Sequence, residues 1–239
     1  TLGALVSGEP VDGSCFIFPN ATGSGWNNFG YDGYMNLYCS MLIFPVLTYS
    51  IHYGYTSAII TMDSVNIIGG GSSSGSLIYY SAVSFDKVRF TGIGRINENV
   101  TPTLFTDVIV DQANAAGAIS VGGVVTIQKP EIRNTSTTWF RAGYINGTIL
   151  TILDPVPEPV KANMYISQAD GIARVAYTCN INVCDKNGVA ISGAVVDCVD
   201  TTATAVWTAG TVTTDASGNI TQQTINYKQW ATTSETETD

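Results

Sequence analysis

Val65-Asn66-Ile67, Val88-Arg89-Phe90, Val108-Ile109-Val110, Val125-Thr126-Ile127 and Thr148-Ile149-Leu150 are the stretches that decide how this chain folds. Their first positions, 65, 88, 108, 125 and 148, are 23, 20, 17 and 23 residues apart. In a strand the outer two residues of each triplet share a face and the middle one points away. Between the triplets lie Gly, Ser and Asn clusters such as Gly69-Gly70-Gly71-Ser72-Ser73-Ser74-Gly75 and Asn114-Ala115-Ala116-Gly117, with hardly any helical periodicity. Strands at that spacing predict the coils of a parallel β-helix, because a coil buries its Val and Ile only against the coils above and below. The uneven step also suits a sandwich or jelly roll, whose strands recur every eight to twelve residues or so. The expectation is an all-β chain with a parallel β-helix or jelly-roll-like N-terminal domain.

Composition narrows the function classes. Of 239 residues, 45% are hydrophobic and 12% charged, with a formal net charge of −9. That is too apolar for a disordered acidic tail. The ten basic residues begin at Lys87, so the first third offers no patch for phosphate backbones or anionic lipid. Nucleic acid and membrane insertion are therefore not expected as partners. The longest apolar run, Met41 to Leu47, is too short to span a bilayer and holds Pro45, so it reads as a buried strand. The chain begins at Thr1, so a processed product or part of a longer one is expected, any signal segment having been removed.

Four segments follow from the punctuation. Residues 1–55 carry Trp26, Phe29, Tyr31, Tyr34, Tyr38, Tyr53 and Tyr55 and read as an aromatic β cap or interface layer. Residues 56–153 hold the solenoid pattern. Asp154-Pro155-Val156-Pro157-Glu158-Pro159 reads as a stiff connector, giving a linker over 154–171, because alternating prolines do not fit a central strand. Residues 172–239 form the second unit.

Two resemblances sharpen this reading. Met62-Asp63-Ser64-Val65-Asn66-Ile67-Ile68-Gly69 and Phe85-Asp86-Lys87-Val88-Arg89-Phe90-Thr91-Gly92 resemble right-handed β-helix segments of virus tail spikes, phage fibres and secreted surface proteins. Ile181 to Val196, with Asp185-Lys186-Asn187-Gly188 and Gly193-Ala194-Val195-Val196, followed by Thr214-Asp215-Ala216-Ser217-Gly218, resembles the carboxypeptidase regulatory-like, or transthyretin-like, immunoglobulin-type domain. The resemblance implies a β-sandwich. Because the chain stops at Asp239, it also implies either a shortened domain or a sheet completed by a neighbouring chain.

Candidate chemistry is sparse. Five cysteines, Cys15, Cys39, Cys179, Cys184 and Cys198, contain no C-x-x-C pair, so zinc and a redox dithiol are not expected. If the faces carrying Cys179 and Cys198 both meet a core, those two would be bridged; otherwise they are small buried hydrophobes. Gly71-Ser72-Ser73-Ser74-Gly75 fits G-x-S-x-G, but a strand rather than a helix follows, so it reads as a surface turn. His52 is the only histidine and reads as part of the aromatic layer. Asp86 and Asp107 would form a retaining carboxylate pair if adjacent coils set them side by side; exposed turn aspartates are the alternative. The clusters at Asp185 and Asp215 suit hairpin turns better than a calcium loop. Sequons at Asn20, Asn99, Asn134, Asn146 and Asn219 allow a glycosylated exterior.

The expectation is a non-enzymatic virion structural protein, a decoration, fibre or tail-spike component, without cofactor or metal. Its partners would be copies of itself and other structural subunits, with surface glycans as a further class, and its place the virion surface. The alternatives are a secreted prokaryotic cell-surface filament or adhesin subunit, and a polysaccharide-active β-helix enzyme.

Overall fold

The computed structural model describes residues 5–6, 9–10, 14–17, 27–29, 34–38, 40–44, 51–53, 59–69, 76–79, 82–93, 95–98, 104–111, 118–133, 138–142, 146–207, 210–232 and 234–237. Their strands stack into a three-faced solenoid. One coil runs through Asn66–Gly69 in a first sheet, Ser76–Tyr79 in a second and Ala82–Asp86 in a third. The next repeats the path through Arg89–Thr91, Arg95–Glu98 and Leu104–Thr106. Corresponding strands pair in parallel, building sheets of six and seven strands and seven of the nine strands of the third sheet. Parallel pairing decides for the solenoid over the jelly roll, whose hairpins would be antiparallel.

The corner from third sheet to first is the most regular device in the chain. Ser64, Lys87, Asp107, Lys129 and Asp154 all sit there at φ between 49° and 56°. Each turns the chain with one left-handed residue, at roughly 1 kcal/mol apiece for a side chain with a Cβ. A backbone ladder offsets this cost: Ser64 N–H donates to Asp86 O, Lys87 to Thr106, Asp107 to Gln128, Lys129 to Leu153 and Asp154 to Ala176. The following residue, Val65, Val88, Val108, Pro130 or Pro155, is buried.

Alternation places the rest of the core. Along the third sheet Leu37, Met62, Phe85, Phe105, Ile127, Ile152 and Val175 stand in register, each 1% exposed or less. Leu42, Ile67, Phe90, Val110 and Ile132 likewise stand in register in the first sheet, all buried. Such columns bury apolar surface only because successive coils repeat the pattern.

Three sequence expectations change. Most strands of residues 1–55 are not a separate layer: Ser14–Ile17, Asn27–Phe29 and Tyr34–Tyr38 begin the same three sheets, while Leu5–Val6 and Glu9–Pro10 pair antiparallel with each other. The proline stretch is not a free connector. Asp154 and Pro155 form a corner, Val156 bridges Glu131, and Met164–Ile166 pairs with Phe140–Ala142. Prolines fit here because this rung is an edge, where a missing N–H costs no ladder bond. The strand Ile172–Cys179 likewise belongs to the solenoid, stacked parallel on Ile149–Leu153.

The third sheet then reverses its habit. Gln223–Trp230 pairs antiparallel with Ile172–Cys179, and Glu235–Glu237 pairs antiparallel with it. Trp230, 1% exposed and opposite Ala173, closes the core at this end. Residues 180–222 leave at Cys179 and return at Gln223, which are register partners, so they form an excursion from the last coil. Within it Val195–Val196 pairs antiparallel with Val212–Thr213, and single antiparallel bridges join Asn182 to Asn219, Cys184 to Ala190 and Val199 to Ala205.

Candidate functional site

The excursion is built on one turn used three times. Asp185, Asp200 and Asp215 each accept, at Oδ1, the N–H groups two and four residues ahead, all at 2.8–2.9 Å. Each also closes a backbone pair: Gly188 donates to Asp185 O, Ala203 to Asp200 O and Gly218 to Asp215 O. The closing residue is left-handed in every copy, with φ of 80° at Gly188, 61° at Ala203 and 76° at Gly218. The sequence reading found the first and third turns and missed the second, Asp200-Thr201-Thr202-Ala203-Thr204, because alanine stands where glycine would signal it. The fifteen-residue spacing of the aspartates was the available clue.

These carboxylates are occupied by the backbone. N–H donation from Val189 and Asn187 holds the Asp185 carboxyl below its ordinary range, and the Thr204 N–H and then the Thr202 hydroxyl hold that of Asp200 below its own. Among the described residues no group of three or more His, Cys, Asp or Glu could hold a metal ion. No helix there is long and apolar enough to cross a membrane.

Beside the point where the excursion leaves the solenoid, a polar latch ties the proline stretch to the strands Ile172–Cys179 and Gln223–Trp230. Glu158, from the proline stretch, accepts from Tyr177 Oη at 2.6 Å and from Lys228 Nζ at 3.0 Å. Lys228 also lies 4.6 Å from the Tyr227 ring centroid. The Tyr177 hydroxyl and then Lys228 lower the Glu158 pKa, while burial, followed by the Glu158 charge, raises that of Tyr177. Asp154 adds a second fastening, accepting from Thr178 N at 2.8 Å and Thr178 Oγ1 at 2.9 Å.

Cys179 and Cys198 are not bridged; both are free thiols, as is Cys184. Their faces do not meet a common core. Cys179 ends a solenoid strand opposite Gln223, whereas Cys198 lies in the excursion, its carbonyl bonded to Val206 N. Asp86 does not stand beside Asp107 either. Its register partners are Asp63 and Thr106, while Asp107 occupies the left-handed corner stacked on Lys87. Asp86 is instead 3.1 Å from Lys87 Nζ. Asp111, in the same strand region, is paired with Arg89 at 2.8 Å.

Of the aromatic residues, Tyr38 is half-buried opposite Asp63. The backbones of Phe29, Tyr34 and Tyr53 are sheet residues, Phe29 pairing with Tyr53 and Tyr34 with Ile59. Trp26, Tyr31 and Tyr55 lie outside the described residues, as do Cys15's side chain, Cys39, residues 71–75 and the sequons at Asn20, Asn99 and Asn134. His52 pairs in its strand with Asn28 and Ile78. Asn146 is exposed, and its sequon partner Thr148 is fully buried, accepting from Gly123 N at 3.3 Å. Asn219 accepts from Asn182 Nδ2 at 2.9 Å.

No family model, curated protein or solved structure matches the chain.

Proposed function

We propose that this chain is a structural component of a virion, a decoration, fibre or tail-spike protein whose work is assembly and surface presentation rather than catalysis. One observation carries the reading: a stacked rod ends in an excursion that leaves Val189, Ile191, Val195 and Val199 at 40–70% exposure. Large apolar side chains concentrated in so short a stretch suit contact with other subunits. The excursion reads as a reduced transthyretin-like unit, its turns rigid enough to hold that surface. Copies of this chain and other structural subunits are the partners, the virion surface is the location, and glycans on the exterior are a secondary class.

The exposed Asn146 sequon favours a second reading, a secreted prokaryotic filament or adhesin subunit. Electron microscopy of the native assembly, with an antibody against residues 180–222, separates the two. Labelled shells or tails support the virion reading. A filament made of this chain alone replaces it with the second, and an unassembled monomer overturns both.

A further inference from the structure

The dipeptide Asn-Gly occurs twice in the chain, at Asn146-Gly147 and Asn187-Gly188. Both asparagines are exposed and both glycines are left-handed, at φ of 74° and 80°. What the glycine nitrogens face differs. Gly188 N–H donates to the Asp185 carbonyl at 3.0 Å, inside a turn that also holds Asn187 N–H on Asp185 Oδ1 at 2.8 Å. Gly147 N–H donates instead to a carboxylate oxygen, Asp170 Oδ2, at 2.8 Å. Coil stacking sets this pair: Ile149 and Ile172 are register partners, and two residues back along each strand stand Gly147 and Asp170. A Cβ on Gly147 would meet nothing within 4 Å. Among the described residues no hydrogen bond ties down the Asn146 side chain.

An asparagine followed by glycine cyclises when the glycine nitrogen attacks the side-chain Cγ, a five-membered closure favoured by proximity and unhindered by a Cβ. The nitrogen attacks as it loses its proton, and a base within hydrogen-bond reach is placed to take it. We propose that Asn146 is a site of self-modification, cyclising onto Gly147 N with Asp170 as the general base. The Gly147 N–Cγ bond forms, the amide proton passes to Asp170 Oδ2, the Cγ–Nδ2 bond breaks, and ammonia leaves carrying that proton. Water then opens the imide at either C–N bond, leaving an aspartyl or an isoaspartyl linkage. The product removes the asparagine of the Asn146-Gly147-Thr148 sequon and sets a second carboxyl beside Asp170. A glycan and this change therefore exclude each other at one position. The site is independent of whether the chain serves a virion.

The test incubates the full folded chain at neutral pH and follows conversion of Asn146 and Asn187 to acid by peptide mass spectrometry, with Asn187 as the internal reference. A positioned base contributes about 10²–10⁴-fold in enzyme sites, and a solvated carboxylate is a weaker base, so a ratio of about tenfold in favour of Asn146 is expected. In the urea-unfolded chain, where Asp170 is no longer held on Gly147, the two sites should convert at similar rates. Asp170→Asn should bring folded Asn146 down to the rate of Asn187 and leave Asn187 unchanged. Equal rates at the two sites of the folded parent overturn the proposal. So does a ratio that persists in urea, which would assign the difference to local sequence. An Asp170→Asn chain that converts Asn146 faster also overturns it, because the carboxylate would then shield the nitrogen rather than activate it. Thermal unfolding of the variant shows whether a changed rate reflects a lost fold, and the folded-against-unfolded comparison of the parent needs no variant.

Discussion

Phe85 and Phe105 stand in register on successive coils, with ring centroids 4.9 Å apart and planes 13° from parallel. Phe90, from the first sheet, meets Phe85 edge-on at 5.4 Å and 63°. Three rings from two sheets thus fill the middle of the solenoid, where smaller residues fill the coils on either side. The stack joins neighbours about twenty residues apart in sequence but adjacent in space.

Replacing Phe105 by Ala removes one ring from this stack and leaves a cavity between fixed coils. Core Phe→Ala changes cost about 3–5 kcal/mol. Urea unfolding should place Phe105→Ala in that range and Phe105→Leu well below it. A loss under 1 kcal/mol for the alanine variant would mean that the coils collapse onto the gap.

Glycines separate two kinds of constraint. A Cβ on Gly69 would lie 2.5 Å from Gly92 O and 2.6 Å from Ile93 Cδ1, so the next coil occupies its space. A Cβ on Gly123 would meet nothing within 4 Å, but its φ of +83° strains any L side chain. Gly123→Ala should therefore cost about 1 kcal/mol from backbone strain alone. Gly69→Ala should cost more, because backbone must move to admit the methyl group. Paired denaturation curves check the order, and equal losses would contradict the close coil contact.

The solenoid was legible in Val65, Val88 and Val108, which all occupy the same corner of successive coils. The fourth and fifth triplets belong elsewhere: Val125 and Leu150 are register partners in the third sheet. The 17-residue step therefore joins two sheets, and the coil it skipped begins at Pro130-Glu131-Ile132. A proline and a charged residue hid that coil, since the corner asks only for a buried, apolar residue after a left-handed one. Proline likewise disguised the last rung as a linker, because an edge and a connector tolerate the same residues. The excursion's limits were less legible. Its entry and exit strands pair with each other across residues 180–222, a long-range contact that local periodicity does not encode.

Glu158 should give the latch a pH dependence of definite sign. Its carboxyl is held below the ordinary value of 4.5 by the Tyr177 hydroxyl and then by Lys228. A depressed carboxylate contributes stability that is full above the unfolded value and disappears as pH falls through the folded one. The thermal midpoint should thus decline as pH drops below about 4.5, and Glu158→Gln should flatten that decline while lowering the midpoint at pH 7. Identical slopes in both proteins would show that the latch contributes nothing to the joint.

Ala203 makes the excursion improvable. It closes its turn at φ 61°, a conformation that the sister turns assign to Gly188 and Gly218. The strain of a Cβ there, about 1–2 kcal/mol, is partly balanced by the extra freedom glycine gives the unfolded chain, about 0.4–1 kcal/mol. Ala203→Gly should therefore stabilise the turn by a few tenths of a kcal/mol to about 1 kcal/mol. Asp200→Ala should act in the opposite sense, since it strips the acceptor from Thr202 N, Thr202 Oγ1 and Thr204 N at once. Hydrogen exchange at the Thr204 amide reads both changes locally: slower in the glycine variant, faster in the alanine variant. Because backbone N–H donation by Thr204, with Thr202, keeps the Asp200 carboxyl below 3.8, exchange in the parent turn should also quicken as pH falls beneath that value, relative to an unstructured amide. A glycine variant that exchanges faster would mean that Ala203 is held by contacts stronger than its backbone strain.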